Sequence, residues 1–351
     1  MTTWAPSRHS PQAPVAVVMV RPHAFRSNPD TLGDNAFQQG GTTTSTAAVS
    51  QAAYREVSTM AAQLQAAGVT VHLFEDRSQR TPDSVFPNNW FSTHAGGHVA
   101  IFPMAAPSRQ QERRWDVIDL LKARYRVQDV IDYSGLEQDQ VYLEGTGAMV
   151  LDHIDRVAYA VRSQRADPLA LERFCTHFNF EPLLLDAADA RGRAVYHTNV
   201  LMCIGTDFAM AGFGMISDAR RRQEVRERLA ENGRALVELS EAQIGEYAGN
   251  ALELQGAQGR LLALSARALR ALTPRQIAVL ERSVQLLPLD VPTIELAGGS
   301  VRCMLAGIHL KPRPLAPEAV AYSNGVASGF ATGLPAAAQA SKPPAMDCTL
   351  I

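Results

Sequence analysis

The sequence predicts an α/β fold: a five-bladed propeller of ββαβ units, closed into a pseudo-fivefold ring by pairing the two ends of the chain. Three observations lead there. One pattern, hairpin then helix then strand, recurs along the middle of the chain at roughly fifty residues, the upper end of what propeller-type repeats show. Two orphan pieces near the ends, residues 15–20 and 301–310, would complete a fifth unit by pairing, and closure of that kind removes open sheet edges. The starts of the hairpins carry unusual polar residues, which a ring would gather at its axis.

Taken in order, the apolar run 15–20 is followed by a long helix over about 45–67, with Gly68 beyond it, and a strand over 69–74. The next unit opens at Val85 and Phe86, runs through Trp90 and Phe91, turns at Gly96 and Gly97 and returns over 98–102. Its helix is expected over 109–123, with Val117, Leu120, Leu121 and Arg124 on one stripe, and its last strand over 127–131. The third has 148–151 and 157–161 as hairpin. Its helix opens at Asp167 and Pro168, an N-cap followed by proline at the first helical position, and its strand is 182–185. The fourth has 200–204 and 208–213, a helix from Ser217–Asp218 to Gly233, and a strand over 235–239. The fifth has 251–254 and 261–264, then Thr273-Pro274-Arg275-Gln276, a capping box with proline at the first helical position, and a strand over 284–287. Residues 301–310 are expected to form the closing strand, with Gly298 and Gly299 leading into it.

The 351 residues carry 33 basic against 35 acidic side chains, so nothing favours nucleic acid or an anionic membrane as partner. No apolar run is long enough to cross a bilayer, and residues 1–14 lack the apolar core of a secretory signal. Cys175, Cys203, Cys303 and Cys348 are sparse and unpaired in spacing, which fits a reducing cytoplasm and suggests no zinc site. Residues 1–14 read as a flexible arm, 15–311 as one catalytic domain, and 312–351, rich in Pro, Ala, Gly and Ser, as a tail. The ending Cys348-Thr349-Leu350-Ile351 has the form of a prenylation box, but no polybasic stretch precedes it and it is read as chance.

The hairpin starts read Asp83-Ser84-Val85-Phe86-Pro87-Asn88-Asn89-Trp90, then Glu144-Gly145-Thr146-Gly147, then His197-Thr198-Asn199, then Gly249-Asn250, and finally Arg302-Cys303. Each is weak alone: a cysteine in an apolar run is usually a buried core residue, and Asn-Asn is usually a turn. Together they supply a thiol, an imidazole, a carboxylate and several amides at equivalent places in one repeat. Hydrolysis through cysteine needs that set: a nucleophilic thiolate, a proton shuttle, and an acid to orient the imidazole.

On these motifs the chain resembles the guanidino-group-modifying, or pentein, superfamily, whose fold is a five-bladed ββαβ propeller. It looks most similar to the citrulline utilisation hydrolase group, with arginine deiminases and dimethylarginine hydrolases as relatives. The resemblance covers about residues 15–310 and implies Cys303 as nucleophile, His197 as general acid/base and Glu144 as its partner. The family's Glu-Gly-Gly-Asp-like motif ends here in Thr146-Gly147. Arg109 and Arg165 fall where the relatives hold the carboxylate of an amino-acid substrate, a task suited to a planar charged fork.

Guanidinium-binding relatives place acids where this chain has Asn88 and Asn89, and deiminases place an aspartate where it has Asn199, while Asp83 is retained. A guanidinium rewards carboxylates in a dry pocket. A neutral ureido group presents both an acceptor and donors, which asparagine matches. The expectation is therefore a cofactor-free, metal-free hydrolase of the ureido C–N bonds of L-citrulline. Asp83, Asn88, Asn89, Asn199 and Asn250 would line the substrate, and a small amino acid would be the partner. The rivals are an arginine deiminase or dimethylarginine hydrolase, and a binding protein on the same fold without catalysis. The oligomeric state stays open, a homodimer among the options.

Overall fold

In the computed structural model, which describes residues 10–33, 35–38 and 45–314, the strands form five separate three-stranded sheets. The first joins β1 (Ala16–Pro22) and β2 (Thr70–Asp76). The second holds β3 (Phe91–His94), β4 (His98–Ile101) and β5 (Asp129–Asp132), the third β6 (Met149–Asp152), β7 (Val157–Val161) and β8 (Glu181–Leu185). The fourth holds β9 (Met202–Ile204), β10 (Phe208–Ala211) and β11 (Ala235–Glu238), the fifth β12 (Leu252–Gly256), β13 (Gly259–Ser265) and β14 (Gln285–Leu289). In each of these four the first two strands are an antiparallel hairpin, and the third pairs parallel after a helical crossover, as parallel neighbours require. The first sheet draws from both ends of the chain: β15 (Ala306–Gly307) pairs antiparallel with β1, Val17 opposite Gly307, and β2 pairs parallel on its other side.

The crossover helices are α1 (Thr46–Ala66), α2 (Trp115–Arg124), α3 (Pro168–Phe178), α4 (Ala219–Ala230) and α5 (Pro274–Leu280). Side chains cap four of them, two of which, at Asp167 and Thr273, the sequence leads one to expect. Ser45 accepts from Ala48 N, Asp167 from Leu169 N and Asp218 from Arg221 N, while Thr273 and Gln276 close a full capping box. Each such cap is worth about 1 kcal/mol. Neighbouring sheets share core. Met149 and Ala158 pack with Ala100 and Phe102, Val150 and Tyr159 with Phe208 and Leu262. Leu254 and Leu261 pack with Val17 and Met19, and Val18 and Ala306 with Phe91 and Val99.

Four expectations are corrected. The helix expected over 109–123 is two pieces: one turn at Pro107–Gln110, then α2 from Trp115, with Arg114 extended between them. Residues 109–113 are held instead by ion pairs, Arg109 with Glu112 and Arg113 with Glu137. The buried face of α2 is Val117, Ile118 and Leu121, whereas Leu120 is half-buried and Arg124 exposed. The expected strand 301–310 begins as a 3₁₀ turn, Val301–Met304, closed by Cys303 N to Ser300 O and Leu305 N to Arg302 O, and only Ala306–Gly307 pairs as strand. A short apolar run reads equally as strand or turn.

Helical turns also open the hairpins at Pro87–Asn89, Gly145–Ala148 and Thr198–Leu201, so that 87–89, 148 and 200–201, expected as extended chain, are helical instead. Of the arm expected over 1–14, residues 10–14 are described. There Gln12 is buried, donating to Leu151 O and Ile204 O and accepting from His153 N. Cys348 and the rest of the tail beyond 314 lie outside the described residues.

Candidate active site

The turns that open the hairpins touch one another. Pro87–Asn89 meets Gly145–Ala148, which meets Thr198–Leu201, and Val301–Met304 returns to Pro87–Asn89. Glycine makes these approaches possible. Gly145 sits at φ +48, and a Cβ there would stand 2.4 Å from Asn88 O. A Cβ on Gly147 would stand 1.9 Å from Asn89 Nδ2. The Glu144-Gly145-Thr146-Gly147 segment is therefore a close-packed support that no side chain at its glycines could share.

Cys303 is 3% exposed. Its Sγ accepts from two amides, Asn199 Nδ2 and Asn250 Nδ2, each at 3.3 Å. Asn250 also accepts from Arg302 N (3.1 Å) and donates to Asn199 O (3.0 Å), so it ties the Cys303 turn to the segment carrying His197. Two N–H donors aimed at one sulfur suit a thiolate.

His197 Nε2 bonds Glu144 Oε2 at 2.9 Å. Glu144 is fully buried, its Oε1 accepts from Ala105 N, and its Oε2 lies 3.5 Å from both Arg109 Nη1 and Arg165 Nη1. Burial works to raise the Glu144 carboxyl, but the Arg165 charge, the His197 bond and the Arg109 charge outweigh it and hold it below the ordinary carboxylate range. Burial pushes His197 below the ordinary imidazole value, against the pull of Glu144. A neutral imidazole held in one orientation by a carboxylate is ready to take a proton.

Arg109 is committed. Its Nε donates to Glu112 Oε1 (3.1 Å) and its Nη2 to Glu112 Oε2 and Asn89 Oδ1 (both 3.0 Å). Glu112, which the sequence reading missed, is 3% exposed; burial pushes it up to about 8 against the attraction of Arg109. The i, i+3 spacing of Arg109 and Glu112 was the available signal. Arg165 meets Glu144 and lies 5.0 Å from the Tyr196 ring centroid. It also lines a cleft of about 740 Å³ with Tyr142, Ser163, Gln164 and Ala106, a volume suited to a small ligand. Only Arg165 of the two arginines lines that cleft.

The asparagines divide. Asn89 is used within the protein, by Arg109 and by its own bond to Glu144 O (3.3 Å). Asn88, fully buried, has neither Oδ1 nor Nδ2 partnered among the described residues, and Asn199 Oδ1 and Asp83 Oδ1 are open in the same way. Asp83 Oδ2 accepts from Asn28 Nδ2 (2.8 Å), a second buried residue that the sequence reading missed. Buried polar atoms rarely lack partners, so the open ones of Asn88 and Asn199, on segments that meet the Cys303 turn, are available to a polar ligand. Among the described residues no group of three His, Cys, Asp or Glu side chains is placed to hold a metal ion, and no helix is long and apolar enough to cross a membrane.

The family described as N,N dimethylarginine dimethylhydrolase, eukaryotic, matches residues 21–310. No curated protein sequence matches the chain. Among solved structures, the substrate-bound N-terminal domain of ArgZ, an arginine dihydrolase from the ornithine–ammonia cycle in cyanobacteria, superposes with a TM-score of 0.63. It is 17% identical over 84% of this chain and 97% of that one. AgrE in complex with ornithine and NAD+ gives 0.65 and 17%, over 86% of this chain and 40% of that one. A dimethylarginine dimethylaminohydrolase carrying a 4-chloro-2-hydroxymethylpyridine adduct gives 0.55 and 12%, over 84% and 99%. At these identities the likeness is one of fold, and that fold is the pentein fold. The chain belongs to the dimethylarginine hydrolase family of the pentein superfamily.

Proposed function

We propose that this member of the family hydrolyses the ureido C–N bonds of L-citrulline, releasing ornithine, ammonia and carbon dioxide. The observation that carries the reading is Asn88: a buried amide beside the nucleophile's turn with donor and acceptor both open. A ureido group offers an acceptor C=O and N–H donors, so one amide can satisfy both sides of it. A guanidinium has no acceptor for the Asn88 N–H. We also read the five sheets as blades of one closed ring, since the core contacts run from each sheet to the next and return to the first.

In this mechanism the Cys303 thiolate attacks the ureido carbon and forms the S–C bond. His197, having taken the thiol proton, gives it to the nitrogen of the ornithine chain as that C–N bond breaks. Water, deprotonated by His197, then attacks the S-carbamoyl carbon. The thiolate leaves, and the carbamate released decomposes to ammonia and carbon dioxide. Glu144 keeps the imidazole oriented and stabilises its cationic form. Asn199 and Asn250 support the sulfur, Asn88 and Asp83 address the ureido group, and Arg165 takes the α-carboxylate. Arg109 and Asn89 act as positioning residues behind Glu144.

A second reading, a guanidino substrate such as arginine, is favoured by Asp83, whose open Oδ1 would suit a cationic N–H group. The two are separated by trapping the intermediate. Acid quench during citrulline turnover, followed by peptide mass spectrometry, should find a carbamoyl group on Cys303. A thiouronium adduct on Cys303 that retains the arginine skeleton less one ammonia, with no adduct from citrulline, would replace this reading with the second.

A further inference from the structure

Beside the nucleophile's turn lies a second, small cavity of about 30 Å³ that does not include Cys303. Its walls include Gln12, Thr93, Thr146, His153, Arg302 and His309, and among the described residues they contain no carboxylate. Arg302 is 6% exposed, and among the described residues its guanidinium donates one hydrogen bond, Nη1 to Ala251 O at 3.3 Å, while its buried Nε has no partner. It forms no ion pair with an acid among the described residues. Every other buried arginine described at the heart of the fold has a carboxylate: Arg109 has Glu112, Arg165 has Glu144 and Arg234 has Asp152.

The neutral groups around the cavity are largely committed. Gln12 serves Leu151, Ile204 and His153 N, and Thr93 Oγ1 donates to Gly307 O and accepts from His309 N. His153 and His309 stack at 3.9 Å between centroids. Burial, with neighbouring positive charges, pushes His309 down to about 4 and His153 well below the ordinary value, so both are neutral near pH 7. Arg302 is thus the one fixed charge of the wall at that pH. A buried cation without a counter-charge is costly, and a guanidinium is a strong anion ligand. The space holds one or two water-sized groups, which suits a monatomic anion and excludes an amino acid.

We infer that this cavity binds a small monovalent anion of the halide class, held by the Arg302 guanidinium. The site is separate from the hydrolytic one, and its test needs no turnover. At constant ionic strength, replacing gluconate by chloride or bromide should raise the melting temperature saturably, and Arg302→Met should abolish the halide-specific rise. Should that variant not fold, crystals of the parent protein soaked in bromide decide the matter. An anomalous peak within about 3.5 Å of the guanidinium supports the site. Water alone in the cavity of bromide-soaked crystals, or equal response to gluconate and halide, overturns it.

Discussion

Around Glu144 the protein crowds charge: two arginines and a histidine reach its carboxylate, and Glu112 and Asp83 flank Arg109. Around Cys303, by contrast, the side chains bonded to the sulfur are the neutral amides of Asn199 and Asn250. The same hairpin starts build both regions, and His197 and Asn199 lie two residues apart on one segment. Charge in the first region fixes geometry, because buried ions are tolerated only when paired. Neutrality in the second leaves room for an uncharged head group without stranding a carboxylate. The contrast is a division of labour, and it can be broken from either side.

The largest effect belongs to the neutral side. Cys303→Ser should cut turnover by at least about 10⁴-fold with the melting temperature little changed, as measured by ornithine release and calorimetry. Glu144→Gln strikes the charged side, removing the buried carboxylate that Arg109, Arg165 and His197 all approach. It should lower kcat by about 10²–10³-fold and, by urea unfolding, stability by about 3 kcal/mol. A loss of activity without loss of stability would deny the ionic centre its structural role. Asn199→Asp moves charge into the neutral region. It should lower kcat/KM for citrulline by about 10–100-fold, the scale of a charge-assisted bond replaced by repulsion, and an equal loss on arginine would show that the amide does not select the head group.

The smallest effect is in the pH dependence of stability. Glu112 is raised in the folded protein from an ordinary 4.5 to about 8, mainly by burial. Folding therefore favours its protonated form. That contribution is fully present below about pH 4.5 and is lost as pH rises through about 8. Glu144 has the opposite sign, since its folded carboxyl is depressed and its contribution is lost as pH falls. The urea midpoint of the parent should decline between pH 6 and 9 relative to Glu112→Gln, in which that titration is gone. Parallel midpoints across this range would remove Glu112 as the titrating group.

Much of this was readable from residues. The caps at Asp167 and Thr273 announce two of the crossover helices because capping chemistry is local. The equivalent places of the polar residues in a repeat led to the expectation that they meet, and His197 bonds Glu144 while Asn199 and Asn250 bond Cys303. What the chain hid was non-local. Asn88 and Asn89 are adjacent and chemically identical, and only packing against Arg109 and Glu144 decides which amide is spent and which stays open. The helical turns before the hairpins are too short to carry a period. Arg109 read as a substrate fork because its partner, Glu112, becomes important only once both are buried.

The central claim is that the neutral region receives a ureido group, and product analysis tests it most directly. Purified protein is given L-citrulline or L-arginine, and ornithine, citrulline and ammonia are quantified over time. The account predicts ornithine and ammonia in equal amounts from citrulline, abolished by Cys303→Ser. Citrulline left intact, with arginine converted to citrulline and no further, would contradict it.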